Sequence, residues 1–306
     1  MTDRRNAPAW LPHAVLAAGV LVVSTASILI RYAHQEGASS TAIAALRLAF
    51  ATALLTPYAW PRTRREIAVA DRRAVLFAVG SGLVLAVHFA TWISSLEYTS
   101  VAASAVLVTT NPIWVGLAAW LWMREPVGRR AVLGIGLGMA GGLVVFFAEA
   151  NGAGASPNAM LGNLLALAGA LAASAYLLIG RRVRNHLSLT AYIWIAYGSS
   201  AVALLLFAAV TRQALFGLTW LAYGLLLALA AGPQLIGHTT FNWAVRRLPA
   251  PVVAMAILGE PVGAAVLAWL LFGESASPAQ LAGFALLLAG IYMSARDEGE
   301  RPAAGD

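Results

Sequence analysis

The sequence predicts an all-α integral membrane protein with ten transmembrane helices, arranged as two inverted five-helix repeats. Of its 306 residues, 60% are hydrophobic and 11% are charged, whereas soluble domains have roughly 45–50% and about 25%. Ten apolar runs follow one another with short connections, and landmark residues recur 149 positions apart. This composition excludes a soluble globular enzyme, a disordered chain and a nucleic-acid-binding protein, and it predicts a lipid bilayer around the chain.

The ten apolar runs are predicted to be helices, because they are too long for the strands of a membrane barrel and lack period-two alternation. Prolines mark several run ends, as expected of helix boundaries. Ser277, Pro278 and Gln280 are predicted to be the N-cap, first and third residues of the last helix. In chain order the runs cover residues 12–31, 41–60, 74–96, 101–123, 131–148, 160–180, 189–210, 219–244, 250–272 and 279–295.

The positions of the arginines predict the orientation of the chain. All 20 basic residues are Arg, and most lie between apolar runs, where positive charge favours the cytoplasmic side. If the N-terminus is cytoplasmic and the spans alternate, 17 Arg lie inside, Arg31 and Arg212 lie outside, and Arg47 lies within a span. This asymmetry predicts that both termini are cytoplasmic, and it accounts for the net charge of +7 without a nucleic-acid partner.

The N-terminal segment has two interpretations. Arg4 and Arg5 precede an apolar run, and the small residues Ser24 and Ala26 offer a cleavage site, as in a secretory signal peptide. We interpret the run instead as the first transmembrane helix, because it takes part in the internal repeat.

The internal repeat divides the chain into two halves, residues 12–148 and 160–296. Each half has five predicted helices, and since five is odd, the second half must cross the membrane upside down relative to the first. Inverted repeats are typical of secondary transporters, whose binding site lies near the midplane between the halves. The residues that coincide under the shift are Pro112 and Pro261, Trp120 and Trp269, Glu125 and Glu274, Gly134 and Gly283, and Gly141 and Gly290.

Several short motifs, taken in order, resemble one family. Over residues 12–296 the chain resembles the drug/metabolite transporter superfamily, of the EamA type. The resemblance implies a protein of the bacterial inner (plasma) membrane that exports small metabolites, such as amino acids or related amphipathic compounds, by alternating access. The motifs are Ala45-Leu46-Arg47, Asn111-Pro112 followed by Glu125, and Glu260-Pro261 followed by Phe272-Gly273-Glu274, Gly283 and Gly290.

Glu260 is predicted to lie near the middle of the ninth span, where a charge costs roughly 2.5–3.5 kcal/mol on insertion scales. It must therefore be neutral, paired or next to a wet cavity. Pro261 follows it and disfavours helical geometry at Glu260 itself. Glu260 either binds substrate or protons, or it is a structural carboxyl that hydrogen-bonds loosened backbone. Asn111 coincides with Glu260 under the repeat shift and has the same two interpretations.

Two further helical faces, on the third and eighth helices, are predicted to line a half-polar pocket for an amphipathic molecule. Alternatively, the polar groups hydrogen-bond neighbouring helices and the aromatic rings pack in the core. We predict no metal site, because the two His lie on different helices at different depths. The residues on these faces are His88, Trp92 and Ser95, and Gln234, His238 and Phe241 with the adjoining Asn242.

Other landmark residues are predicted to be structural. Arg47 lies inside the second helix, where it either snorkels outward or pairs with Glu97. Glu125 and Glu274 precede the fifth and tenth helices, where carboxylates favour the helix dipole. Landmark prolines and glycines are predicted to interrupt or to pack the helices, namely Pro112, Pro261, Gly134 and Gly283.

Three classes of function are compared. The inverted repeat and the polar residues within spans favour a secondary transporter, coupled to protons or to substrate exchange. A channel would show a continuous polar stripe or a charged ring, whereas the polar residues here are sparse and central. A membrane enzyme would show a catalytic motif, and the sequence contains none of the common ones. The chain has no Cys, which excludes disulfides and thiol chemistry. We expect a small-molecule substrate and no cofactor, and the oligomeric state is left open.

Overall fold

The structure is a computed structural model, and it describes residues 10–99, 104, 107–121, 128–150, 158–272 and 277–299. All regular elements in these residues are helical. They are α1 (Leu11–Val23), α2 (Ala26–Gln35), α3 (Ser40–Val69), α4 (Arg72–Tyr98), α5 (Asn111–Leu121), α6 (Arg129–Ala150), α7 (Ala159–Val183), α8 (Leu189–Val210), α9 (Trp220–Leu229), a π-helical segment (Ala230–His238), α10 (Thr239–Ala244), α11 (Ala250–Ile257), α12 (Gly259–Phe272) and α13 (Pro278–Gly299).

Seven helical stretches in the described part of the chain are long and apolar enough to cross a membrane. The membrane-protein class is therefore confirmed. The prediction of ten spans exceeds these seven. Two further predicted runs fall on α6 and α13, and the run 101–123 lies partly outside the described residues. The seven stretches are Leu11–Gln35, Ser40–Val69, Arg72–Tyr98, Met160–Val183, Leu189–Val210, Trp220–Ala244 and Ala250–Leu271.

Short polar side chains define where several helices begin. Ser39 and Ser188, which are 149 positions apart, are N-caps whose hydroxyl oxygens accept from the backbone N–H groups three residues later. The predicted cap of the last helix is confirmed: the Gln280 N–H donates to Ser277 Oγ, and the Ser277 N–H donates to Gln280 Oε1 at 2.7 Å. Each cap supplies an acceptor for an N–H that has no partner inside its helix.

Three of the apolar stretches are interrupted near their middles. The first predicted run breaks between α1 and α2, and the eighth predicted run, 219–244, contains the π-helical segment, which includes Pro233. The ninth predicted run, 250–272, breaks at Leu258, so that Glu260 lies in the first helical turn of α12. The prediction that Pro261 would disfavour helical geometry at Glu260 is wrong. A proline in the first turn of a helix removes no intrahelical hydrogen bond, because the N–H groups there have no partner within the helix. The helix is interrupted before Gly259 instead.

The helices of the two halves pack against each other in reciprocal pairs. α3 packs on α8, and α6 packs on α13. α4 packs on α7, while α1, which corresponds to α7 under the repeat shift, packs on the π-helical segment, which corresponds to part of α4. These contacts between halves therefore have counterparts in which the roles of the halves are exchanged.

Glycines allow the closest of these approaches, between α6 and α13. A Cβ added to Gly141 would lie 2.6 Å from the carbonyl oxygen of Gly283, and one added to Gly290 would lie 2.5 Å from that of Gly134. These residues are the landmark glycines of the repeat, so the two contacts are related by the 149-residue shift. Without side chains at these positions, the two backbones come into direct contact.

Candidate functional site

A cavity lies between the two halves of the chain, where the interrupted helices meet. The first turns of α2, α5 and α12 border it through Ala26, Asn111 and Glu260. Its volume is about 50 Å³, enough for a few waters. Its lining residues are Val23, Ala26, Arg47, Leu85, His88, Trp92, Val108, Thr109, Asn111, Ala173, Tyr176, Leu177, His238, Phe241, Ile257 and Glu260.

Arg47, on α3, is fully buried in the wall of this cavity. Its Nε donates to Gln234 Oε1 at 2.9 Å, and its guanidinium lies 4.2 Å from the centre of the Phe89 ring. Among the described residues, Nη1 and Nη2 have no hydrogen-bond partner. The prediction that Arg47 snorkels outward or pairs with Glu97 is therefore wrong. Arg47 points inward because the acceptor that holds it lies on the π-helical segment.

Glu260 and Asn111, which coincide under the repeat shift, both line the cavity. Each lies in the first turn of a helix that starts at the cavity, Glu260 in α12 and Asn111 in α5. Asn111 is buried, and its Oδ1 has no hydrogen-bond partner within the described residues. Glu260 is close enough to Arg47 for the two charges to interact. The cavity thus holds one acidic and one basic side chain, contributed by different halves.

The predicted histidine faces meet in the same cavity. The rings of His88 and Trp92 are stacked with centroids 5.7 Å apart, and the His88 and His238 centroids are 6.4 Å apart. His88 Nδ1 donates to the carbonyl oxygen of Gly169 at 2.9 Å, because a carbonyl can only accept. The two His were predicted on different helices at different depths, and the structure brings their rings close together.

Three predicted pocket residues lie behind the cavity wall. Gln234 holds Arg47, as described above. Asn242 Nδ2 donates to Tyr176 Oη at 2.5 Å and to the His238 carbonyl at 2.9 Å, which places it behind two lining residues. The Ser95 hydroxyl donates to the Trp92 carbonyl and lies 2.6 Å from Ser104 Oγ. The structure therefore brings these three into contact with residues of the pocket, as supports of the lining side chains.

The predicted structural residues fall into two groups. Pro112 and Pro261 each occupy an early position of a helix that begins at the cavity. Glu125 and Glu274 lie outside the described residues. Gly134 and Gly283 lie in the crossing of α6 and α13, as described above. Among the described residues, no group of three or more His, Cys, Asp or Glu could hold a metal ion.

Sequence reasoning missed Arg47 as a cavity residue. The signal was present, since an ionisable residue well inside an apolar span has a functional role by default. Phe241, which was predicted on the same face as His238, does line the cavity, and its ring lies 5.7 Å from that of His238. Tyr176 lines the cavity too.

Comparison with known proteins identifies the family of this fold. A model of the EamA-like transporter family matches residues 10–147 and 160–296. A solved crystal structure aligns with a TM-score of 0.76 at 20% identity, covering 95% of this chain and 99% of that one, which shows a shared fold.

Two curated relatives share parts of the sequence. An uncharacterized transporter of Bacillus subtilis, YetK, is 23% identical over 65% of this chain and 61% of its own length. A probable 4-amino-4-deoxy-L-arabinose-phosphoundecaprenol flippase subunit, ArnE of Klebsiella pneumoniae, is 37% identical over 22% of this chain and 62% of its own length. The chain thus spans about three fifths of the length of these two relatives. Since the family model matches most of the chain in two consecutive copies, this protein belongs to the EamA-like transporter family.

Proposed function

We propose that the protein is a secondary active transporter that exports small amphipathic metabolites by alternating access. The observation that carries this proposal is the cavity between the two halves, which is lined by charged, polar and aromatic side chains from both. Arg47 and Asn111 come from the first half, and His238 and Glu260 from the second. A site between two structurally related halves can be exposed to either side when one half rocks against the other.

An inverted repeat would provide the two alternating states. The reciprocal helix pairs and the reciprocal glycine contacts of α6 and α13 support such a repeat, because a two-fold axis exchanges the members of each contact. Residues 12–148 and 160–296 would then be the exchanging units, with ten spans in all. If the two halves are inverted copies, an exchange of their conformations converts the inward-open state into the outward-open state.

Contacts between helix ends support the proposed orientation, with both termini cytoplasmic in the bacterial inner membrane. Glu66 and Ser188, both in predicted cytoplasmic segments, are joined by two hydrogen bonds of 2.5 and 2.7 Å. Glu36 and Thr219, both in predicted outer segments, are joined by one of 2.6 Å. Each contact joins segments assigned to the same side from arginine positions alone.

Labelling from each side tests the inversion. Val69 is the last residue of α3 and Phe216 follows α8, and their side chains are exposed to 85% and 88%. Because the chain has no Cys, Val69→Cys and Phe216→Cys are single reactive sites. We expect a membrane-impermeant maleimide to label Phe216→Cys in intact cells and Val69→Cys only after permeabilisation. Labelling of both from one side would contradict the inverted repeat.

Glu260 is the proposed coupling group. A carboxyl that takes up a proton in one state and releases it in the other couples transport to the proton gradient, whereas Gln keeps its shape but cannot titrate. We expect Glu260→Gln to fold, to retain exchange of substrate across the membrane, and to lose the pH dependence of gradient-driven export. The measurement is the initial export rate in proteoliposomes across pH.

The control for this experiment is Glu97→Gln. Glu97 is exposed at the end of α4, and its carboxylate accepts from the Ser40 N–H, a bond that a Gln side chain can also accept. We expect this variant to keep the wild-type pH profile. An unchanged pH profile in Glu260→Gln would show that Glu260 is structural and would contradict proton coupling through it.

A further inference from the structure

The guanidinium of Arg47 is oriented by contacts that leave its terminal nitrogens free. Its Nε is held by Gln234 Oε1 at 2.9 Å, and Phe89 lies against it at 4.2 Å from the ring centre. Gln234 is itself fully buried. These contacts determine both the direction of the side chain and the plane of the guanidinium. Nη1 and Nη2, each with two N–H groups, have no partner among the described residues.

Unpartnered N–H groups on a buried cation require an acceptor. A charged donor that is desolvated without a partner is costly, and the paired terminal nitrogens of Arg match the two oxygens of a carboxylate. Within the cavity lining, the acidic side chain is Glu260, and its interaction with Arg47 is electrostatic, without a hydrogen bond to Nη1 or Nη2. Both terminal nitrogens are buried without an acceptor, and a ligand carboxylate that enters the cavity would supply one.

The rest of the cavity wall suits the other parts of an amphipathic ligand. α2, α5 and α12 begin beside the cavity, while α1 and α11 end beside it at Val23 and Ile257, so the partial charges of these helix ends offset one another. Arg47 is therefore the group in the lining that favours an anion. The carboxylate of Glu260 suits a cationic group, and the rings of His88 and Trp92 suit an apolar one.

We propose that Arg47 is the substrate-binding residue that recognises a carboxylate, through Nη1 and Nη2, and that Gln234 is the residue that positions it. The substrate class is therefore small amphipathic carboxylates, zwitterions included. This inference rests on the proposed transport function, and it assigns Arg47 to binding, whereas the sequence assigned it to structure.

The test uses a panel of solutes in which only the headgroup changes. Leucine, isocaproate, leucinamide, isoamylamine and isoamyl phosphate share a branched alkyl chain, and a parallel set carries an aromatic side chain. Binding to purified wild type is measured by calorimetry and by the rise in melting temperature. We expect the carboxylates to bind at least about tenfold more tightly than their amides and amines, the loss typical of a charged hydrogen-bonded pair.

Variants identify the residue responsible. Arg47→Gln removes the charge, and Arg47→Lys keeps the charge but removes the paired nitrogens; both are expected to lose about tenfold or more in carboxylate affinity. The matched control is Arg62→Gln. Arg62 also lies over an aromatic ring, 4.1 Å from the centre of Tyr58, but it is exposed and far along α3 from the cavity. The control is expected to bind carboxylates as wild type does.

Four results would overturn the assignment: tighter binding of an amide or amine, tighter binding of isoamyl phosphate, full carboxylate affinity in Arg47→Gln, or no binding of any carboxylate by wild type. The wild-type panel decides the question even if the Arg47 variants fail to fold. Counterflow of an amine solute would keep the transport function and remove the carboxylate site. Carboxylate binding without counterflow would keep the site and remove the transport function.

Discussion

Replacing Gly141 with alanine tests the reciprocal crossing of α6 and α13. A Cβ at this position would lie 2.6 Å from the Gly283 carbonyl oxygen, 2.8 Å from the Leu287 nitrogen and 2.9 Å from Leu286 Cβ. Two of these three atoms belong to the backbone, so no change of rotamer relieves the overlap. The two helices must separate by a few tenths of an ångström or more to admit a methyl group.

The free-energy cost of this separation follows from the comparison of two glycines on α6. Inserting a methyl group into a closely packed contact costs about 1–3 kcal/mol. Alanine also changes helix propensity relative to glycine, by up to about 1 kcal/mol in favour of alanine. Gly136, also on α6, has no atom within 4 Å of an added Cβ, so Gly136→Ala measures propensity alone. We expect Gly141→Ala to be about 1–3 kcal/mol less stable than Gly136→Ala.

The reciprocal contact of the same two helices, at Gly290, leads to a second expectation. A Cβ on Gly290 would lie 2.5 Å from the Gly134 carbonyl oxygen and 2.7 Å from the Gly138 nitrogen, so Gly290→Ala is expected to cost as much as Gly141→Ala. The two substitutions separate the same pair of helices. The double variant should therefore cost less than the sum of the two single variants, because the first methyl group already forces part of the separation.

The assay is reversible unfolding in mixed micelles of a non-ionic detergent and sodium dodecyl sulfate, followed by far-ultraviolet circular dichroism. The free energy of unfolding is compared among wild type, the three single variants and the double variant. Equal stability of Gly141→Ala and Gly136→Ala would refute the close crossing. Strict additivity in the double variant would refute the idea that both contacts belong to one helix pair.

Three further predictions concern the cavity. Trp92→Ala and His238→Ala should weaken solute binding at normal expression and folding, and unchanged counterflow kinetics in both would assign them to packing. Gln234→Leu should lower the free energy of unfolding by about 1–3 kcal/mol, because it leaves the buried Arg47 without its acceptor, and it should also weaken carboxylate binding; loss of stability with unchanged binding would argue against a positioning role. Ser95→Ala should lose about 1 kcal/mol of stability with unchanged transport rates, and a large fall in rate would make Ser95 part of the binding site instead.

Helix positions were predicted well where one apolar run has polar ends. The run 189–210 coincides with α8, Leu189–Val210, because the Ser188 cap and the polar residues after Val210 mark both of its ends. The interruptions were harder to predict. The break at Leu258 was inferred from Pro261 but placed too late, since proline is accommodated in the first turn of a new helix.

The candidate site was predicted in composition but not in arrangement. Glu260, His88, Trp92, Asn111 and His238 were all selected from polarity and helical faces, and all five line the cavity. Periodicity identifies a face of a helix but not its neighbour. For that reason the supporting positions of residues behind the wall, and the meeting of the two His rings, could not be derived from spacing.

The amino-acid sequence by itself determined that this chain is a helical membrane protein, which of its polar residues lie within apolar spans, and which glycines and prolines recur between its halves. These properties depend on local composition and on the cost of polar groups in lipid. Only the tertiary structure decided which polar groups meet. Arg47 finds its acceptor on Gln234, 187 residues later, because α3 packs against the π-helical segment. A contact of that kind depends on how distant helices cross, and no local pattern encodes it.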